Sequence, residues 1–118
     1  MASLSNYLRT YRKKSALSQE EVAFLLGGIG MSKGSAVSRY ESFTREPTLS
    51  VALAYEVING KPVRELFAGL YEQVEKDVAK RAKLLSYRKT SAKTKRQQLL
   101  INIASRLSFY TYADKSNK

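Results

Sequence analysis

The chain has 118 residues, a net charge of +11 from 21 Lys and Arg against 10 Asp and Glu, and neither cysteine nor histidine. That length buries one modest core with a helical extension and leaves no room for two independent domains of ordinary size. Without thiols or imidazoles there are no disulfides, no thiolate nucleophile, no common transition-metal ligands and no neutral-pH proton shuttle, so an enzyme, a metal and a cofactor are all unexpected.

The first helix is predicted over residues 4–15, where Leu4, Tyr7, Leu8 and Tyr11 recur at steps of three and four with basic residues on the other face. A second follows over about 19–26. Ser18 stands as its N-cap with Glu21 three residues on, the capping-box pattern; Val22, Ala23 and Leu26 form its buried side, and Gly27 stops it. Gly27, Gly28 and Gly30 make the next stretch a flexible connection, since each glycine costs about 1 kcal/mol relative to alanine inside a helix. A third helix starts at Ser32 or Lys33 and continues to about Ser42, with Val37 and Tyr40 inward. Pro47 suits the first turn of a fourth, whose apolar side is Leu49, Ala52, Leu53 and Val57 and whose stop is Asn59-Gly60.

Pro62 opens a fifth helix that reads as unusually long. Val63, Leu66, Phe67, Leu70, Tyr71, Val74, Val78, Ala82 and Leu85 keep one stripe apolar for about six turns. Residues 86–96 read as a basic polar linker, and 97–110 as a last amphipathic helix through Leu100, Ile103, Ala104 and Leu107. Leu99, Ile101, Phe109 and Tyr112 also fit a short strand, and residues 114–118 are expected to be disordered. Tyr7, Tyr11, Tyr40, Tyr55 and Tyr71 fall on apolar stripes and read as core; Tyr87, Tyr110 and Tyr112 are the ones placed to stack on bases.

Charge is unevenly placed. Residues 1–78 hold ten Lys and Arg against nine acids, whereas 79–118 hold eleven against Asp114 alone. A basic tail of that density points to a polyanion, nucleic acid before an anionic membrane. Residues 1–14 carry Arg9, Arg12, Lys13 and Lys14 with no apolar block behind them, which is not a secretory signal. The longest aliphatic run, residues 99–101, is too short to cross a bilayer, and a cytoplasmic location follows by default. Gly28, Gly30 and Gly34 do not make a phosphate loop, because no strand precedes them and the spacing fits neither nucleotide signature.

Four blocks in order carry a resemblance: Leu17-Ser18-Gln19-Glu20-Glu21-Val22-Ala23, Val37-Ser38-Arg39-Tyr40-Glu41, Pro47-Thr48-Leu49 and Val63-Arg64-Glu65-Leu66. Over residues 4–67 the chain resembles the phage repressor and Cro family of helix-turn-helix DNA-binding domains. The resemblance implies an all-α fold, with a five-helix repressor-like domain over 1–67; the extended fifth helix and the basic helical extension over 68–118 are read from the apolar stripe and the charge, and that part of the chain resembles no family. The resemblance further implies double-stranded DNA as partner. The start of the second helix and Gln19 would take a phosphate, while Lys33, Gly34, Ser35, Ser38 and Arg39 would face the major groove. Arg39 is the strongest reader, since its fork matches guanine O6 and N7. Arg12 and Glu41 would pair, tying the first helix to the end of the reading helix.

The chain departs from the family pattern in three places. Its turn is longer, Gly34 stands where a base-contacting side chain is common, and Phe43 stands where a helix-ending glycine is favoured. With Thr44 and Glu46 at positions that are often basic, Arg45 is the only cation of that loop. The tail would then supply the missing phosphate contacts, with Lys89, Lys93, Lys95 and Arg96 as the leading candidates. Leu70, Val74, Val78, Leu100 and Leu107 would supply a homodimer contact. The functional expectation is a repressor-like regulator, cytoplasmic and nucleoid-associated when bound. Two alternatives are an antitoxin-like protein whose C-terminal helices hold a protein partner, and a nonspecific DNA- or RNA-binding protein led by the tail.

Overall fold

Helices account for all regular structure among residues 4–27, 35–88 and 94–110, the parts of the chain that a computed structural model describes. They are α1 (Leu8–Lys14), α2 (Gln19–Leu25), α3 (Ser35–Glu41), α4 (Leu49–Asn59), α5 (Val63–Leu66), α6 (Ala68–Ser86) and α7 (Thr94–Ala104), and 106–110 add a short helical stretch. By internal contacts the chain divides into two compact units, Ala2–Leu70 and Tyr71–Lys118. The glycine connection 28–31, the start of the third helix, Lys33, Gly34, Lys89, Lys93, Tyr112 and residues 114–118 lie outside the described residues.

In the Ala2–Leu70 unit, α1 begins at Leu8, four residues later than the apolar spacing predicts. Asn6 is the reason. Its side chain is buried, its Oδ1 accepts from Leu8 N at 3.1 Å, and its Nδ2 donates to Tyr40 O at 2.9 Å. The residues before Leu8 are instead tied by backbone bonds to the end of the unit. Tyr7 N donates to Leu66 O at 2.7 Å and Gly69 N to Leu4 O at 2.8 Å. The core that results is formed by Leu8, Val22, Ala23, Ala36, Val37, Tyr40, Tyr55, Leu66 and Phe67.

Two helix ends use the same device. After α1, Ala16 N donates to Lys13 O and Leu17 N to Arg12 O; after α3, Phe43 N donates to Tyr40 O and Thr44 N to Arg39 O. This doubly bonded C-terminal turn needs a left-handed residue, and Ala16 (φ 59°) and Phe43 (φ 56°) occupy that place without being glycine. Ala16 is exposed, so its side chain gains nothing from burial. Ala16→Gly should therefore stabilise the unit by about 0.5–1 kcal/mol in a urea titration, with relief of strain outweighing the extra freedom of the unfolded chain. A drop in stability would show that the αL backbone there is not strained.

The fourth helix corrects the sequence reading in two ways. Thr48 is its N-cap, with its side chain accepting from Val51 N, so Pro47 precedes the helix and is not in its first turn. Its inward residues are Tyr55, buried, with Val51 and Ala52 packed beside it. The expected apolar side is mostly outside: Leu49 is 74% exposed, Leu53 49% and Val57 83%. Apolar residues nearly surround this helix, so counting aliphatics could not choose a face; the aromatic ring chose it. Tyr55 meets Tyr40 edge-on at 6.3 Å between ring centroids and Phe67 at 6.5 Å, and aromatic burial of this kind outweighs that of any one aliphatic.

The hydroxyl of Tyr55 is buried and makes no hydrogen bond among the described residues. Burial, with Glu41 adding to it, pushes its pKa well above the ordinary tyrosine range. A polar atom with no partner costs free energy in the core. Tyr55→Phe is accordingly expected to leave the thermal midpoint unchanged or to raise it, and a destabilisation beyond about 1 kcal/mol would mean that the hydroxyl has a partner.

The long fifth helix is two helices. α5 stops at Leu66 because Phe67 leaves helical geometry, at φ −115° and ψ 44°, and α6 starts afresh at Ala68. The break turns the Phe67 ring into the core beside Tyr55. Periodicity carries straight across such a kink, so the stripe gave no sign of it.

In the Tyr71–Lys118 unit, α6 buries Ala79 and Ala82, and α7 buries Leu100. The small side chains of the two alanines suit a closely packed helix surface. Residues 99 and 101 are helical, which decides against the strand, and α7 starts at Thr94, inside the predicted linker. Arg106 bridges to Glu75 at 2.5 Å and donates to Tyr71 Oη at 3.3 Å, and Tyr110 Oη also donates to Glu75. These bonds hold residues 106–110 to α6. No helix among the described residues is long and apolar enough to cross a membrane.

Candidate nucleic-acid interface

The capping box at α2 forms as its residues require. Ser18 Oγ accepts from Glu21 N at 3.0 Å, and Glu21 Oε1 accepts from Ser18 N at 2.9 Å. It fixes the start of α2, whose buried residues Val22 and Ala23 pack into the core shared with α3.

α3 is divided lengthwise. Ala36, Val37 and Tyr40 are buried, while Ser35, Ser38 and Arg39 are exposed on the other side. Burying three residues at one- and three-residue steps fixes the rotation of the helix, so the exposed positions have a defined direction. The sequence reading named these three exposed residues.

Arg12 and Glu41 are in contact as a bidentate pair: Arg12 Nε lies 2.6 Å from Glu41 Oε2 and Arg12 Nη2 3.2 Å from Oε1. Arg12 Nη1 also donates to Leu17 O at 3.1 Å. The hydrogen bond to Glu41 raises the pKa of Arg12 above the ordinary guanidinium value, against the opposing effect of burial. Gln19 joins this network, its Nε2 donating to Glu41 Oε1 at 3.2 Å. The amide expected to wait for a phosphate is thus turned inward, and it joins α2 to the end of α3. Glu20 and Glu21 in the same first turn favour the helix dipole and repel a phosphate.

The loop after α3 folds back on one carbonyl. Thr44 N, Arg45 N and Ser42 Oγ all donate to Arg39 O, at 2.9, 3.2 and 3.2 Å. Arg45 is thereby brought beside the C-terminal end of α3, and its guanidinium lies over the Tyr40 ring at 5.9 Å. Arg39 and Arg45, six residues apart, become neighbours through this backbone bond. Of the tail candidates, Lys95 is exposed and Arg96 half-buried on α7, in the other unit.

Sequence reasoning missed three contributors. Asn6 could have been found, since an Asx residue just before a helix is a capping signal. The Tyr11 hydroxyl bond to Glu65 at 2.8 Å, which raises the Tyr11 pKa, spans 54 residues. The Glu75–Arg106 bridge spans 31. No local pattern announces pairs so far apart.

For the contacts expected in a homodimer, Leu100 is buried within its own unit and Leu107 is half-buried. Leu70 packs against the core of the Ala2–Leu70 unit. Val74 and Val78 stay exposed, at 50% and 45%.

A capped helix braced against a second whose outer face carries Ser35, Ser38 and Arg39, with an arginine loop beside it, defines a helix-turn-helix DNA-binding domain. The family model described as helix-turn-helix matches residues 8–66, half of the chain. The chain belongs to that family, which is a DNA-binding, regulatory one. Comparisons with curated proteins and with solved structures gave no match.

Proposed function

We propose that this protein is a sequence-specific transcriptional regulator, repressor-like, that binds an inverted-repeat operator as a homodimer. The observation that supports it best is the division of α3: three buried residues lock the helix while Arg39, with Ser35 and Ser38, is turned outward. A helix held so firmly presents its outer side chains in fixed positions, which is what reading base edges demands. Two such helices one turn of DNA apart would meet a site of matching symmetry. Such a regulator acts in the cytoplasm, on the nucleoid. The basic residues of the second unit add phosphate contacts.

Arg39→Ala tests the reading. Selection of bound sequences from random DNA should yield an inverted repeat with the parent protein. With the variant it should yield a relaxed preference at one position of each half-site, equivalent to forfeiting about 1–3 kcal/mol of discrimination, with nonspecific binding retained. Unchanged selection would remove Arg39 from the reading role.

A further inference from the structure

We infer that two copies of this chain associate through α6, and that the two α6 helices run antiparallel, with Val74, Val78 and Leu85 of one lying along the same stripe of the other. The inference rests on the homodimer reading above and adds the surface, the direction and the register.

The surface comes from residues that the fold leaves uncovered. Val74 is 50% exposed, Val78 45% and Leu85 37%, whereas Ala79 and Ala82 on the adjoining face are buried. Steps of four and seven put the three aliphatics on one side of the helix, over a length of roughly 16 Å, with the exposed Arg81 between Val78 and Leu85 on the same side. Val74 and Val78 also form one wall of an open groove of about 210 Å³, with Tyr71 and Ile103 completing its apolar lining. Its two charged residues, Glu75 and Arg106, already bridge to each other at 2.5 Å. A groove with its charges satisfied internally fits an aliphatic side chain.

The direction comes from charge. Residues 71–78 carry Glu72, Glu75 and Asp77 against Lys76, while residues 79–86 carry Lys80, Arg81 and Lys83 and no acid. Acid-first order favours the dipole of a single helix, but that does not account for the exposure of Val74 and Val78 in one half and Leu85 in the other. An antiparallel pair sets each acidic half against a basic half; a parallel pair sets like against like. Centring the pair near the change of sign places Val74 opposite Leu85 of the second copy, at the groove. It also sets Arg81 of the second copy level with Val78, its stem over the valine and its guanidinium within reach of Asp77, one residue away.

The chain has no cysteine, so engineered ones report only on themselves. Val74→Cys and Leu85→Cys are made separately, and each is sedimented and then oxidised mildly, alone and mixed. The expected result is a dimer in sedimentation and a strong disulfide only in the mixture, because opposing positions bring the two β-carbons within bonding reach. Strong self-linking of each variant alone would establish a parallel pair and overturn the direction. A sedimenting dimer with no linkage in any combination would overturn the α6 surface and leave the homodimer standing. A monomer at high concentration would overturn both. In a second experiment Asp77→Lys should weaken the dimer on the order of tenfold, since two symmetry-related contacts change together, and Arg81→Glu added to it should restore the association. With helical circular dichroism unchanged throughout, a failure of that rescue would overturn the register.

Discussion

Glu41→Ala is expected to cost the Ala2–Leu70 unit about 3 kcal/mol or more, a large share of the roughly 5–15 kcal/mol by which a domain is stable. The Glu41 side chain is 5% exposed and that of Arg12 15%. Glu41 accepts from Arg12 twice and from Gln19 once. Its removal strands a guanidinium whose other acceptor is Leu17 O. The destabilisation measures the cost of an orphaned charge more than any net strength of the pair. Replacing both partners, by Arg12→Met with Glu41→Leu, should therefore recover most of the stability. Urea titrations of the single and double variants decide this, and a single-variant effect under about 1 kcal/mol would show that the pair is held in water-like surroundings.

Neutralising Lys89, Lys93, Lys95 and Arg96 together to glutamine should flatten the salt dependence of DNA binding by about 0.9 in slope for each phosphate that is no longer neutralised. If all four touch phosphate, the parent falls roughly a hundredfold further than the variant between about 50 and 200 mM salt. The reasoning is electrostatic. The first 78 residues carry nearly balanced charge, and the loop after α3 offers Arg45 alone, so the proposed phosphate contacts fall to the basic residues of the second unit. Base preference should survive, because phosphate contacts carry no sequence information directly. Equal slopes for parent and variant would take these residues off the backbone, and abolition of all binding would favour the nonspecific, tail-led reading.

What was legible in the chain depended on whether the signal was local. The capping box at Ser18 and Glu21, the inward pair Val37 and Tyr40, and the helix stop at Gly60 are each written within a few residues, and all are found. The Arg12–Glu41 contact came from resemblance, not from spacing. The break at Phe67 and the orientation of α4 were not legible, because both are decided by where an aromatic ring fits among residues remote in sequence. Gln19 illustrates the same limit at the candidate site. Its position was read correctly, yet its side chain turns to a carboxylate 22 residues away.

Tyr40 belongs to two environments at once. Its ring packs edge-on with Tyr55 in the core, and its face lies under the Arg45 guanidinium. The loop cation is therefore biased toward one place by a ring that belongs to the hydrophobic interior. Part of that cation's conformational entropy is lost during folding, so under the proposed phosphate role less would be lost on docking. The core and this exposed loop share a single side chain, so a substitution inside the domain can displace the loop cation while leaving every outward-facing residue untouched.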